Sequence, residues 1–135
     1  MKELHDIVLV EDDPDIALLA EIALVEIGGF HLTHFASGPE ALAGIDRLFP
    51  DLIILDYRMP GMNGDDVFRE LRLREKTADT PIMFMTASVM PRHVGKLKEL
   101  GAIDVLAKPF DPLTLSAVVR SKWQTWVSAQ AASEI

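Results

Sequence analysis

The stretch DIVLVEDDPD, residues 6–15, decides the fold of this chain. Its first half is an apolar and largely β-branched run, which predicts a buried strand over residues 6–10. Three consecutive carboxylates follow, and two such charges about 4 Å apart repel each other by about 4 kcal/mol at an effective dielectric of roughly 20. Asp13 followed by Pro14 is typical of a helix start, with a carboxylate cap and a proline at the first helical position. A strand therefore passes directly into a helix, and something must offset the repulsion between the acids.

The same alternation of apolar runs and helical segments occurs five times along the chain. Further strands are predicted at about residues 30–35, 51–56, 81–86 and 103–110. Helices are predicted to start at Asp13, Ser37, about Asp65, near Pro91 and at Asp111. Strands that are apolar along their whole length are typical of a parallel sheet covered by helices on both faces. The pattern therefore predicts one doubly wound α/β domain with a five-stranded parallel sheet.

Periodicity and capping predict details of the helices. In the first helix one apolar stripe is predicted, formed by Ile16, Leu19, Ala20, Ala23 and Ile27. Ser37 and Glu40 have the spacing of a capping box for the second helix. Trp123 and Trp126 are expected to pack the last helix against the rest of the domain, with part of their surface exposed to solvent.

Composition excludes several classes of function. The chain has 135 residues, 49% of them hydrophobic, which suits a single core. Because it has no cysteine, disulfides, thiolate catalysis and cysteine-ligated zinc are excluded. A net charge of -8 argues against direct nucleic-acid binding, and no apolar run approaches the roughly 18 residues of a membrane span. We therefore expect a cytoplasmic protein whose ligands are cations or basic partners.

Histidine does not supply a predicted metal site. The four histidines lack the spacing of a metal-binding pair and are expected at the surface or at edges; they are His5, His31, His34 and His93.

Polar residues follow the predicted strands at the point where each strand ends. They are Glu11 and Asp12 after the first strand, Asp56 at the end of the third, Thr86 at the end of the fourth and Lys108 after the fifth. In open α/β sheets ligands bind at the carboxyl ends of the strands, where the winding direction switches. We therefore expect these five side chains to converge on one rim of the sheet.

The predicted rim is suited to phosphoryl chemistry. Its oxygen donors suit a hard divalent cation, above all magnesium, which binds through one or two carboxylates and also accepts phosphate oxygens. A bound cation would offset the repulsion among the acids, and a carboxylate can accept a phosphoryl group as a nucleophile. A metal, a lysine and a hydroxyl together supply the charge stabilisation that phosphoryl transfer needs. Asp13 is interpreted as a helix cap rather than as a metal ligand.

Four motifs in order and at characteristic spacing, LVEDD, LIILDYRMPGMNG, MTA and AKPF, make the chain resemble the receiver domain of bacterial two-component response regulators. The resemblance covers about residues 5–127. It implies a flavodoxin-like (βα)5 fold with strand order 2-1-3-4-5. Residues 1–127 would form the receiver domain and residues 128–135 a C-terminal tail.

The resemblance also implies a metal site. Asp12, Asp56 and the backbone carbonyl of Arg58 would bind Mg2+, with Mn2+ as an alternative ion. Glu11, the other member of the acidic pair, would act through water.

Further roles follow from the same resemblance. Asp56 would be the phosphoacceptor, Thr86 would donate its hydroxyl to the phosphoryl group, and Lys108 would pair with the acyl phosphate. The peptide bond between Lys108 and Pro109 would be cis.

The implied function is a phosphorylation-dependent switch rather than a dedicated turnover enzyme. A sensor histidine kinase or a histidine phosphotransfer protein would donate the phosphoryl group to Asp56, and the acyl phosphate would later be lost to water. The phosphorylated domain would act on a downstream protein target or effector domain, without direct contact to nucleic acid or membrane. The alternative is a degenerate receiver that only binds partner proteins.

Two rival classes fit the residues less well. A phosphatase of the haloacid dehalogenase type needs a second acid two residues after its nucleophile, and Arg58 occupies that position. A nucleotide-binding module of similar fold would have a glycine-rich phosphate loop where this chain has EDDPD, which would repel phosphate.

The chain departs from the receiver pattern at Val105, three residues before Lys108. Many receivers carry an aromatic residue there that changes rotamer, and a β-branched side chain has no ring to move. We expect coupling to run through Thr86 and the loop after it into the fourth helix. The output face would remain the fourth helix, the fifth strand and the last helix.

Overall fold

Five parallel strands form one sheet in the computed structural model, which describes residues 2–133. The strands are β1 (Asp6–Val10), β2 (His31–Phe35), β3 (Leu52–Asp56), β4 (Ile82–Thr86) and β5 (Asp104–Ala107). Their order is β2-β1-β3-β4-β5, and every neighbouring pair is parallel. This arrangement confirms the doubly wound, flavodoxin-like fold.

Five helices connect and follow the strands. They are α1 (Pro14–Glu21, continued by a π-helical segment, Ile22–Ile27), α2 (Gly38–Gly44, continued by a 3-10 turn, Ile45–Arg47), α3 (Gly64–Arg72), α4 (Pro91–Leu100) and α5 (Leu115–Ser133). α5 continues through residues 128–133, which were predicted to form part of a C-terminal tail. The last two residues of that tail lie outside the described part of the chain.

The core consists of two layers, one on each face of the sheet. Ile7 and Leu9 of β1 face the layer that contains α1 and α5, whereas Val8 and Val10 face the layer that contains α2, α3 and α4. β3 and β4 are buried along their whole length, as expected for central strands of a parallel sheet. The rigid sheet thus fixes the positions of the residues that follow its strands.

The predicted cap of α1 is confirmed, whereas the predicted capping box of α2 is only half formed. Asp13 caps α1 as predicted, since its Oδ1 accepts hydrogen bonds from the backbone of Asp15 and Ile16 at 2.9 and 3.3 Å. At α2 the predicted reciprocal box is wrong in one half, because Glu40 accepts from the N–H of Ala36 rather than from the cap residue.

The start of α5 also differs from its prediction. Asp111 Oδ1 accepts from the N–H of Leu113 at 2.9 Å, and α5 begins only at Leu115, after a turn.

The predicted apolar stripe of α1 is wrong at two positions. Leu19 and Ile27 are 45% and 48% exposed, whereas Ala17 and Leu24 are buried. The π-helical segment widens the last turns of the helix, as the hydrogen bond from Gly28 N–H to the carbonyl five residues earlier shows. This widening accounts for the exposed Ile27, whereas Leu19 precedes the π-helical segment and lies outside the buried face formed by Ala17, Ala20 and Leu24.

The two tryptophans of α5 behave as predicted. Trp123 lies in the core, and Trp126 is half-buried. Within residues 2–133, none of the helices combines the length and the apolar character needed to cross a bilayer.

Candidate functional site

The sheet topology brings the predicted rim residues together. The winding direction reverses between β1 and β3, where Val10 pairs with Leu55, so the residues that follow these strands are neighbours. On the other side of β3, the N–H of Lys108 donates to the carbonyl of Thr86 at 2.8 Å. The carboxyl ends of four strands therefore meet at one edge, as the rule for open α/β sheets predicts.

Three carboxylates form a cluster at this edge. One oxygen each of Glu11, Asp12 and Asp56 lies within 4.8 Å of the others. Glu11 is fully buried, Asp56 is 3% exposed, and Asp12 is half-buried. Such a set of hard oxygen donors, partly open to solvent, fits a magnesium ion that keeps several waters.

Lys108 neutralises part of this negative charge. Its ammonium group donates to Glu11 Oε1 at 2.8 Å and to Asp56 Oδ1 at 3.1 Å. Burial alone would lower the pKa of Lys108, but the hydrogen bonds with the two carboxylates outweigh burial and raise that pKa. Lys108 is therefore a fixed cation beside Asp56.

Glu11, the fully buried acid of the cluster, has a strongly altered acidity. Burial, together with the hydrogen bond and the negative charge of Asp56, raises the pKa of Glu11 to about 7, although Lys108 acts in the opposite direction. A cation bound between the acids would favour the ionised form again. Electrostatics thus make the cluster receptive to a divalent cation.

A cavity of about 430 Å³ opens above Asp56 and connects the remaining rim residues. It is lined by Asp56, Tyr57, Arg58, Thr86, Ala87, Ser88, His93 and Lys108. Thr86 is buried, and its hydroxyl oxygen accepts from the N–H of Ser88 at 3.2 Å. All five rim residues predicted from the sequence thus lie at one edge of the sheet, and Arg58 lies beside them on an exposed loop.

The loop after Asp56 is held by its own polar groups. Asn63 Oδ1 accepts from the N–H of Met59 at 3.1 Å, and the N–H of Gly64 donates to the carbonyl of Tyr57 at 2.8 Å. A Cβ atom at Gly64 would lie 2.3 Å from the carbonyl oxygen of Asp56, so this position requires glycine. The motif RMPGMNG therefore fixes the backbone on which Asp56 lies.

Two further predictions concern neighbours of the site. The bond between Lys108 and Pro109 is cis, as the resemblance implied. Asp13 lies at the cap of α1, and within the described residues it does not belong to a carboxylate cluster that could hold a metal.

His93 was not predicted to lie at this site. It was expected to be an ordinary surface residue, but its Nε2 lies 3.4 Å from the hydroxyl oxygen of Thr86, and its ring contacts Tyr57 edge-on with 4.8 Å between ring centroids. His93 stands in the first turn of α4, seven residues after Thr86, and a strand end followed by a helix start was the signal that could have placed it here.

Comparison with known proteins agrees with this geometry. The family model of the response regulator receiver domain matches residues 7–120. The chain belongs to the response regulator receiver domain family. Its curated relatives include the DNA-binding response regulator MtrA of Mycolicibacterium smegmatis, with 40% identity over 116 residues, 86% of this chain and 49% of that protein. They also include the DNA-binding dual master transcriptional regulator RpaA of Synechocystis, with 36% identity over 85% of this chain and 47% of that protein. The receiver domain thus spans about half the length of these relatives.

Solved structures of the family match this receiver domain over most of both chains. The chemotaxis protein CheY4 of Vibrio cholerae superposes with a TM-score of 0.80 at 30% identity, covering 87% of this chain and 98% of that chain. A putative response regulator from Chloroflexus aurantiacus gives a TM-score of 0.79 at 33% identity, covering 90% and 99%. The protein is therefore similar to signalling proteins of two-component systems.

Proposed function

We propose that this receiver domain is a phosphorylation-dependent switch that accepts a phosphoryl group on Asp56. The observation that carries the proposal is the position of Asp56, a buried carboxylate at the base of the 430 Å³ cavity with Lys108 Nζ 3.1 Å away. A histidine kinase or a histidine phosphotransfer protein would donate the phosphoryl group.

A magnesium or manganese ion would be held by the acidic cluster. Asp12, Asp56 and the backbone carbonyl of Arg58 are the proposed ligands, with Glu11 acting through water. When bound, the ion would offset negative charge on the carboxylates and on the phosphoryl oxygens. The close approach of the three acids supports this assignment.

The chain's own residues divide the remaining chemistry among them. A carboxylate oxygen of Asp56 attacks phosphorus as the bond between phosphorus and the donor's imidazole nitrogen breaks. The Lys108 ammonium and the Thr86 hydroxyl stabilise the charge on the transferred group. The acyl phosphate is later lost to water, so the domain acts as a self-catalysed phosphoacceptor rather than as a dedicated turnover enzyme.

The partners are proteins. Although MtrA and RpaA are described as DNA-binding regulators, the net charge of this chain, -8, does not favour direct contact with nucleic acid. The phosphorylated receiver would instead act on a protein target or an effector domain in the cytoplasm.

A phosphorylation assay tests the proposal. Wild type, incubated with a small acyl phosphate and magnesium, should gain one phosphoryl group in an intact-mass measurement. Asp56→Asn should gain none, and the matched control Asp15→Asn, on the exposed first turn of α1, should react like wild type. Labelling of Asp56→Asn would show that another residue is the phosphoacceptor. Absence of labelling in wild type would support a degenerate receiver that only binds partners.

A further inference from the structure

The Thr86 hydroxyl has two neighbours inside the loop that follows β4. Its oxygen accepts from the N–H of Ser88 at 3.2 Å, and it lies 3.4 Å from Nε2 of His93. In the tautomer that carries the ring proton on Nδ1, Nε2 can accept a hydrogen bond, and the hydroxyl can donate its single proton to it. At 3.4 Å this hydrogen bond is long and easily exchanged for a shorter one.

A phosphoryl group on Asp56 would need the same proton. Thr86, His93 and Asp56 line one cavity, so the hydroxyl can turn between the imidazole and a phosphoryl oxygen without leaving it. Because a hydroxyl donates only one hydrogen bond, the two acceptors exclude each other. Occupation of Asp56 is therefore linked to loss of the contact with His93.

Helix α4 has few fully buried contacts at the end that carries His93, where Val94 packs against the core but is only partly buried. Its cap residue, Met90, makes no side-chain capping bond and is exposed. Within the ten residues of α4, all of which the structure describes, Leu97 alone is buried. Gly95 lies in the interior of the helix, where glycine costs about 0.5–1 kcal/mol relative to alanine. The first turn of α4 is therefore an element that a single contact can shift.

We infer that His93, with its ring proton on Nδ1, is a positioning residue that holds the Thr86 hydroxyl away from the phosphoryl site and transmits its release to α4. The inference rests on the proposed phosphorylation of Asp56. It assigns to His93 a coupling role that Val105, buried and without a ring, does not fill. The edge-on contact with Tyr57 keeps the imidazole oriented toward the cavity.

Two substitutions separate the hydrogen bond from the ring contact. His93→Phe keeps an aromatic ring beside Tyr57 but removes the acceptor, whereas His93→Gln keeps an acceptor and removes the ring. Each variant and wild type is titrated with beryllium fluoride in magnesium buffer, and backbone amide shifts are followed by NMR. The shifts of residues 56–58 give the apparent dissociation constant, and those of residues 91–97 report on α4.

Removal of the competing acceptor should strengthen the binding of beryllium fluoride, which mimics a phosphoryl group on Asp56. For His93→Phe we expect the apparent dissociation constant to fall about two- to tenfold, the factor that corresponds to one net hydrogen bond. The shifts of residues 91–97 should shrink more than those of residues 56–58. His93→Gln should stay close to wild type in both. Should His93→Phe fail to fold, His93→Ala replaces it, because alanine lacks the acceptor and adds no volume.

The outcomes distinguish this inference from the proposed function. An unchanged dissociation constant in His93→Phe, or a His93→Gln that behaves like His93→Phe, would overturn the role of His93 while leaving Asp56 as the phosphoacceptor. Absence of shifts at residues 56–58 in wild type, or equal shifts in Asp56→Asn, would instead contradict the proposed function itself.

Discussion

Lys108 Nζ donates a hydrogen bond of 2.8 Å to Oε1 of Glu11, which joins two residues 97 positions apart in the chain. β1 and β5, the strands that these residues follow, are not neighbours, because β3 and β4 lie between them. The long lysine side chain crosses the carboxyl ends of both central strands and contacts Asp56 on its way, at 3.1 Å. One cation therefore serves two buried carboxylates.

Removal of this cation should destabilise the domain in the absence of metal. Lys108→Met leaves Glu11 and Asp56 without their cation, and breaking a fully buried pair costs about 3–5 kcal/mol. Because the Lys108 side chain is 17% exposed, we expect a smaller loss, about 1–3 kcal/mol in the free energy of unfolding. Urea denaturation in the presence of a chelator measures it.

A surface ion pair supplies the control for Lys108. Lys98 lies 3.7 Å from Asp104 and is half exposed. Lys98→Met should therefore cost about 1 kcal/mol or less. Equal losses in the two variants would show that the rim lysine behaves as an ordinary surface charge.

The acidity of Glu11 predicts a pH dependence of stability. Burial raises its pKa from an ordinary 4.5 to about 7 in the folded state. Between these values the folded protein keeps a proton that the unfolded chain has lost, so the stabilising contribution is complete below about pH 4.5 and is lost as the pH rises through 7. Glu11→Gln should therefore gain stability relative to wild type as the pH rises, by on the order of 3 kcal/mol at most.

Urea denaturation at about pH 5 and about pH 8, without metal, checks this dependence. The exposed Glu21 provides the control, and Glu21→Gln should track wild type at both pH values. Magnesium at pH 8 should restore stability to wild type, because a cation bound at the acidic cluster would favour the ionised carboxylate of Glu11. A constant difference between Glu11→Gln and wild type across the pH range would contradict the altered acidity.

Magnesium should separate the roles of the adjacent acids Asp12 and Asp13. An ion that binds only the folded state stabilises it by about 2.7 kcal/mol at ~100 times its dissociation constant. Asp12→Ala should lose most of the resulting rise in melting temperature. Asp13→Ala should keep that rise and lose about 1 kcal/mol through the missing cap of α1. Differential scanning calorimetry measures the melting temperature of each variant with and without magnesium. If both variants lose the magnesium-induced rise equally, the assignment of Asp12 as ligand and Asp13 as cap is wrong.

Signal transmission should depend on Thr86 rather than on Val105. NMR with a metal-fluoride phosphate mimic should show that Thr86→Ala strongly reduces the amide shifts in residues 87–100. Val105→Ala should leave most of these shifts intact, since Val105 is buried against the α2–α4 layer and has few rotamers. If Val105→Ala removes the shifts as fully as Thr86→Ala does, Val105 takes part in the switch.

Local patterns were sufficient for the strands and for the principal site residues. β1, β3 and β4 are short, largely apolar runs whose ends are marked by a polar residue, so Asp56 and Thr86 could be located without knowledge of the fold. The cap at Asp13 is also local, because it is formed with the N–H groups of the next few residues. Parallel pairing then brings the strand ends to one edge by a general rule.

Features that depend on packing could not be predicted in this way. The predicted stripe failed at Ile27, which lies in the π-helical segment Ile22–Ile27, and at Leu19, which lies outside the buried face formed by Ala17, Ala20 and Leu24. The place of Glu40 in the cap of α2 depends on a backbone turn at Ala36 that spacing alone does not fix.

By itself the sequence determined the order of the elements and the residues at each strand end, because these follow from periodicity and capping over a few residues. Only the tertiary structure decided that Lys108 spans Glu11 and Asp56, that burial raises the pKa of Glu11, and that His93 contacts Thr86. The first two depend on distances between segments far apart in the chain and on the solvent that surrounding helices exclude, and the third depends on the path of the loop between β4 and α4. Hydrogen bonding and desolvation act through space, and spacing along the sequence does not record them.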